Sequence, residues 1–215
     1  LPNEIKCNFV SLDILFVCLP TDLVLYFKNI FSKSNILVNQ IICSSYAKSI
    51  NYIDNLNLIG NNSFIDIGFN KTSIINYYND KILSLDILPI GSNHITKDIS
   101  QILDINLEIS EEKKRNFSQN IKISNNKNAP IENLQKIIVF RTDEILELCT
   151  KSIVSNSHTQ RKSKVLLMGE GSKIFNIQNR DKILFSDDLI FLEETLQGVC
   201  QSGFKFITEL NKREV

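Results

Sequence analysis

The sequence predicts an α/β or α+β fold with a partly parallel sheet. Two observations predict it. Short β-branched runs alternate along the chain with segments whose apolar residues recur at helical spacing. Two of those runs also leave through glycine-containing turns, at Asp66-Ile67-Gly68 and at Met168-Gly169-Glu170-Gly171. At 215 residues the chain can hold one large domain or two small lobes around a substantial core.

Leu12–Leu19 is a short apolar run that reads as a buried strand. Pro20-Thr21-Asp22 stops it and opens a helix, with Leu23, Val24, Phe27, Ile30 and Phe31 at helical spacing. Ile36–Ile42 is β-branched and reads as a second strand; Ser44-Ser45 then caps a helix carrying Tyr46, Ile50 and Ile53. Ser63–Gly68, Ser73–Tyr78 and Ile82–Ile90 read as three strands of a meander, the last two joined at Asn79-Asp80. Gly91-Ser92-Asn93 leads into a helix through Ile95, Ile99, Ile102 and Leu103, and a charged helix follows at Ser110–Phe117. Ser124–Pro130 is a polar loop without periodicity. Leu134, Ile137, Ile138, Ile145, Leu148, Cys149 and Ile153 keep helical period over about five turns. Lys164–Met168 is a strand, and Thr195–Leu210 a final helix.

Composition removes several functions. Lys+Arg and Asp+Glu are both 24, so no global field favours nucleic acid or an anionic membrane. Five scattered cysteines without a Cys-x-x-Cys, and only two histidines, argue against zinc and for a reducing, cytoplasmic setting. No apolar run reaches the roughly 18–20 residues that span a bilayer. The chain opens at Leu1 without Met, in sequence that reads like mid-domain, which suggests a fragment or a truncated relative. Its bias to Ile, Asn and Lys lowers the turn information expected of Asn.

Two strand-fed turns suit a nucleotide. In Asp66-Ile67-Gly68-Phe69-Asn70-Lys71-Thr72, backbone N–H groups and the Thr72 hydroxyl suit phosphate, and Asp66 suits a metal-bound water. In Gly169-Glu170-Gly171-Ser172, bare backbone suits a base or ribose. Between them Glu111 and Lys114 share a helix face. Alone these signals are unspecific, since Asp-x-Gly also closes ordinary turns and Glu111–Arg115 also reads as a solvated face. His94 reads as a helix-cap neighbour, His158 lies in a polar loop, and no spacing suggests a catalytic triad.

The order of these parts resembles the second lobe of the actin and Hsp70 ATPase (ribonuclease H-like) fold. Within that fold, Leu88-Pro89-Ile90-Gly91-Ser92-Asn93-His94-Ile95-Thr96-Lys97-Asp98-Ile99 is similar to the Pro-x-Gly-Gly-x-x-(Val/Ile)-Thr-x-Asp-Ile segment of the FtsA cell-division family. Val38–Ala47 is similar to that family's strand-to-helix step before the phosphate loop, and Val165–Ser172 to its adenosine loop. The resemblance runs from about Asp13 to Gly203. It implies that residues 1–35 end the FtsA-specific (SHS2-like) subdomain and 36–62 connect the first-lobe core. Residues 63–109 and 158–215 would then form actin-like subdomain 2A, and 110–157 the upper subdomain 2B.

By the same resemblance, ATP and Mg would be held by Asp66, Gly68, Asn70, Lys71, Thr72, Glu111, Lys114, Gly169, Gly171 and Ser172, with Asp66 serving the metal. The family's partners are the FtsZ C-terminal tail and other division proteins, with actin-like self-association, at the inner face of the membrane at the division site. Arg141, on the long helix, would grip a carboxylate of the tail; the alternatives are a pair with Glu144 or Glu147 on its own helix, or a side chain that snorkels to water.

Four departures weaken nucleotide and membrane binding. The first-lobe phosphate loop does not occur in this sequence. Phe69, Asn70 and Lys71 stand where the family has Gly-Gly-Thr, and a left-handed Phe69 would cost about 1–2 kcal/mol. Glu170 would repel phosphates by about 3–4 kcal/mol at 4–6 Å. Glu209–Val215 is too short and charged for a membrane-binding amphipathic helix. The expected function is thus an actin-like adaptor that binds FtsZ, with ATP binding weak or lost. The alternatives are a working ATPase seen as a fragment, a pilus-assembly relative, and a decayed scaffold.

Overall fold

The computed structural model describes residues 8–9, 11, 14–79, 81–119, 129–156, 164–176 and 189–213. The chain divides into two compact units between Ile41 and Ile42.

Among the described residues of the first unit there is one helix, α1 (Thr21–Ser32), entered from Pro20. The helix closes at Asn35, whose left-handed φ of 57° lets the Ile36 N–H return to the Phe31 carbonyl at 3.0 Å. The strands expected at Leu12–Leu19 and Ile36–Ile42 are not formed: their described residues are unpaired coil, and Ile14–Leu19 are exposed. A strand must give its N–H and C=O groups to a neighbour, and no described residue of this unit supplies one.

The second unit is built on a five-stranded mixed sheet in the order β3-β2-β1-β4-β5. Strands β1 (Asn61–Ile67), β2 (Thr72–Tyr78) and β3 (Lys81–Leu88) form the expected antiparallel meander. Strand β4 (Lys164–Met168) runs parallel to β1 on its other side, and β5 (Leu189–Phe191), too short to be seen in the sequence, runs parallel to β4. Around the sheet lie α2 (Ser44–Leu56), α3 (Ser92–Leu103), α4 (Leu107–Gln119), α5 (Ala129–Asn156), a 3₁₀ helix (Glu170–Asn176) and α6 (Leu196–Arg213).

Strand β1 is buried on both faces because helices cover both. Ile65, Ile67, Ile74 and Leu167 face Ile95 and Ile99 of α3 and Ile138, Ile145 and Cys149 of α5. Phe64, Ile75, Tyr77, Leu166 and Met168 face the opposite side, towards Ile53 and Leu58. Tyr46 of α2 meets Phe206 of α6 edge-on at 5.2 Å between ring centroids, and Ser49 bonds the Tyr77 hydroxyl at 2.9 Å. The boundary between the units falls at Ile41/Ile42, and α2 packs within the second unit. Helix α5 contributes Ile137, Ile138, Ile145, Leu146, Cys149 and Ile153 to the main core.

Ser44 and Ser45 do not cap α2. Its N-cap is Cys43, without a side-chain bond, and the Ser45 hydroxyl is used elsewhere. The polar loop expected at Ser124–Pro130 lies mostly outside the described residues, and its last two residues begin α5. His158 also lies outside them.

Candidate functional site

Three loops meet beyond the carboxyl ends of β1 and β4. The β1–β2 turn closes with the Gly68 N–H donating to the Lys71 carbonyl at 2.9 Å. It docks on the first turn of α3, where the N–H groups of Ser92 and Asn93 donate to the Gly68 and Phe69 carbonyls at 3.0 and 2.8 Å. Gly91 makes that approach feasible, since a Cβ there would lie 2.6 Å from the Gly68 oxygen and 2.7 Å from the Phe69 oxygen. The His94 ring accepts the Gly91 N–H at 3.1 Å, which is the cap-neighbour role expected of it. The third loop follows β4: Gly169 turns with φ +88°, and Gly171 lies so close to Ile67 that a Cβ would come within 2.6 Å of its carbonyl.

The loops wall a cavity of about 370 Å³, lined by Phe69, Ser92, Glu111, Lys114, Arg115, Ser118, Glu170, Gly171, Lys173 and Ile174. One side is a face of α4, because positions 111, 114, 115 and 118 follow helical spacing. The buried Lys114 ammonium donates to Glu111 at 2.6 Å, Thr96 at 2.8 Å and the Ser92 carbonyl at 3.1 Å, tying α4 to the start of α3. Glu111 also accepts from Thr96 at 2.6 Å and Arg115 at 2.9 Å. Burial pushes the Glu111 carboxyl up, but the bonds from Lys114, Thr96 and Arg115 outweigh it and hold the pKa at about 2. Burial lowers the Lys114 pKa despite Glu111. The lining carries three cations against two carboxylates, so the cavity has one positive charge in excess.

Of the expected nucleotide residues, this cavity brings together Glu111, Lys114 and Gly171. Asn70 and Lys71 are exposed on the β1–β2 turn, where Asn70 accepts from Asn93 at 3.0 Å, and Gly68 is internal to that turn. Thr72 does not present its hydroxyl: it is fully buried and donates to the Ile90 carbonyl at 2.8 Å. Ser172 is buried too, its hydroxyl donating to the Gly169 carbonyl at 2.7 Å. Phe69 has no left-handed backbone and so carries none of the expected strain. It is exposed instead, at the edge of the cavity. Glu170 is paired with Lys173 at 2.6 Å, which offsets the repulsion expected of it. Arg115, Ser118 and Lys173 were not singled out from the sequence, although the spacing 111-114-115-118 marks the first two.

Asp66 does not fit the metal expected of it. One carboxylate oxygen accepts from Ser45 at 2.6 Å and lies 2.7 Å from the Lys48 ammonium, and Asp66 is not part of the cavity lining. Lys48 also meets Glu194, at 3.0 and 3.1 Å. Burial raises the Glu194 carboxyl above its ordinary value, against the pull of Lys48. Among the described residues, no group of three or more His, Cys, Asp or Glu is placed to hold a metal ion.

A second depression of about 550 Å³ lies between α3 and α5, lined by Asp98, Ile102, Asn133, Lys136, Ile137, Phe140, Arg141 and Glu144. Phe140 and Ile102 are 74% and 64% exposed there. Arg141 is in this groove, as a partner site requires, but its guanidinium is already gripped by both Asp98 oxygens and by Glu144 at 2.6 Å. The Asp98 bonds raise its pKa further. Lys136 makes no ion pair among the described residues and lies within reach of the same groove.

Among solved structures, the chain is similar to the PilM-PilN type IV pilus biogenesis complex, with TM-score 0.61 and 17% identity over 79% of this chain and 47% of that one. It is similar to MreB5 of Spiroplasma citri bound to ADP, with TM-score 0.68 and 15% identity over 91% and 68%. It is also similar to the ethanolamine utilization protein EutJ from Carboxydothermus hydrogenoformans, with TM-score 0.54 and 15% identity over 72% and 52%. The chain spans about half the length of the pilus and EutJ structures. At these identities the likeness establishes the actin-like ATPase fold and nothing finer. No curated protein matches. The sequence itself goes further: residues 63–179, from β1 through the 3₁₀ helix, match the family described as cell division protein FtsA. The protein belongs to the FtsA family.

Proposed function

We propose that the chain is an FtsA-type adaptor whose groove between α3 and α5 receives the acidic C-terminal tail of FtsZ. The observation that supports this is the pairing of exposed Ile102 and Phe140 with Lys136 and Arg141 in one depression. A short, partly helical, acidic tail needs an apolar trough and a cation at its edge. Lys136 is the cation open to it, and Arg141 joins by exchanging Glu144 or Asp98 for a tail carboxylate. Contacts with other division proteins, actin-like self-association and a position at the inner membrane face belong to the same proposal. Among the described residues, no helix is long and apolar enough to cross a membrane.

Nucleotide binding is proposed to be weak, because Thr72 and the first N–H groups of α3 are already bonded within the chain. The test of function is fluorescence polarisation with a labelled FtsZ C-terminal peptide from the same source. Phe140→Ser and Lys136→Glu, both at exposed positions, should each weaken binding at least fivefold without lowering the melting temperature. Absence of binding by the folded, unsubstituted chain would sink the proposal. The PilM-PilN likeness supports one other reading, an adaptor for a pilus-assembly protein. A PilN peptide that binds in the same assay where the FtsZ peptide does not would select it.

A further inference from the structure

The expected divalent metal at Asp66 disagrees with what the chain places there. Lys48 comes from α2, Asp66 ends β1, and Glu194 precedes α6, so three distant segments converge on one ammonium. The Lys48 ammonium lies 2.7 Å from Asp66 Oδ2 and 3.0 Å from Glu194 Oε1 and donates to Glu194 Oε2 at 3.1 Å, while Glu194 Oε1 itself is buried without a hydrogen-bond partner among the described residues. The side chains of Lys48, Asp66 and Glu194 are 7%, 10% and 10% exposed, and Ser45 takes a further place at Asp66. Mg²⁺ demands oxygen ligands at about 2.0–2.1 Å and keeps several waters. The Lys48 ammonium already holds the approach to Asp66 Oδ2.

We propose that Lys48 is a built-in cation that substitutes for a divalent metal at Asp66, so any anion entering the cleft binds without a metal bridging it to β1. The two acids need a positive charge between them, because a pair of buried carboxylates sharing one site cannot both stay ionised unaided. A tethered ammonium supplies that charge permanently, whereas a metal would leave with its nucleotide. The substitution also pins α2 and the start of α6 to the sheet. It is independent of what fills the groove between α3 and α5.

The test is a Mn²⁺ titration of the whole chain, followed by electron paramagnetic resonance of the free ion, with no nucleotide present. The unsubstituted chain should take up no Mn²⁺ that Asp66→Asn abolishes. A stoichiometric site lost in Asp66→Asn would overturn the proposal. Lys48→Ala should gain one Mn²⁺ per chain, lost again when Asp66→Asn is added. A folded Lys48→Ala chain that takes up none would overturn the substitution of cation for metal. If Lys48→Ala does not fold, the comparison between the unsubstituted chain and Asp66→Asn decides alone.

Discussion

Replacing Lys114 by methionine separates the electrostatic hold on the cavity wall from its packing. Methionine keeps the length and most of the volume of the lysine stem, so no large cavity opens. The ammonium and its bonds to Glu111, Thr96 and Ser92 disappear. Removing one partner of a buried ion pair costs about 3–5 kcal/mol when the other is stranded dry. Glu111 keeps Thr96 and Arg115, and its side chain is 26% exposed, so solvent screening brings the expected loss down to about 2–3 kcal/mol. At a urea m-value of about 2.5 kcal/mol/M, the midpoint should fall by about 1 M, read by circular dichroism. The pH dependence gives an internal control. The folded Glu111 pKa is depressed from 4.5 to about 2, so its stabilisation is present above pH 4.5 and is lost as pH falls towards 2. The gap between the parent and Lys114→Met should therefore shrink across that interval. A midpoint shift under 0.2 M at pH 7, or a gap unchanged between pH 6 and pH 3, would refute the account.

Gly171→Ala puts a Cβ within 2.6 Å of the Ile67 carbonyl and 2.7 Å of its side chain, so strain of about 1–3 kcal/mol should lower the melting temperature by several degrees. Melting unchanged to within a degree would show that the loop has room to shift. Cys149 is buried, which pushes its thiol up to about 12, whereas Cys18 and Cys200 are exposed. Peptide mapping after mild alkylation at pH 8 should find Cys18 and Cys200 labelled and Cys149 labelled only in denaturant.

Periodicity made α3, α5 and the meander legible because each buries a continuous face, and burial is what spacing records. The strand expected at Ile36–Ile42 failed for the complementary reason: β-branched residues favour a sheet but do not provide the partner strand. Asn proved more informative than its abundance suggested. The non-glycine left-handed residues among those described are Asn35, Asn57, Asn79 and Asp104, at the ends of α1, α2, β2 and α3, where a glycine would otherwise be sought. Hydroxyl roles were illegible, since Thr72 bonds a carbonyl 18 residues away. Lys48 showed nothing in sequence beyond a polar position on a helix. Its meaning depends on Glu194, 146 residues on, and no local pattern encodes such a contact.

The two sides of the cavity differ in how many of their polar groups are free, and that yields a final prediction. On the side of α4 and Gly171 the cavity is open, lined by both glycine backbone and cations. On the side of the β1–β2 turn, the donors that would meet a phosphate are spent: two α3 N–H groups on the turn's carbonyls and the Thr72 hydroxyl on Ile90. Freeing each neutral hydrogen bond forfeits about 1 kcal/mol, so recruiting both N–H groups and Thr72 costs about 3 kcal/mol, near two orders of magnitude in affinity. A triphosphate therefore recovers in contacts roughly what it loses in broken bonds. ATP should bind within tenfold of adenosine, whatever the absolute affinity, as measured by competition against a fluorescent adenosine analogue. ATP more than a hundredfold tighter than adenosine would mean that the turn lets go of α3 when phosphate arrives. The bonds between Ser92, Asn93 and the turn would then be a latch rather than a closure.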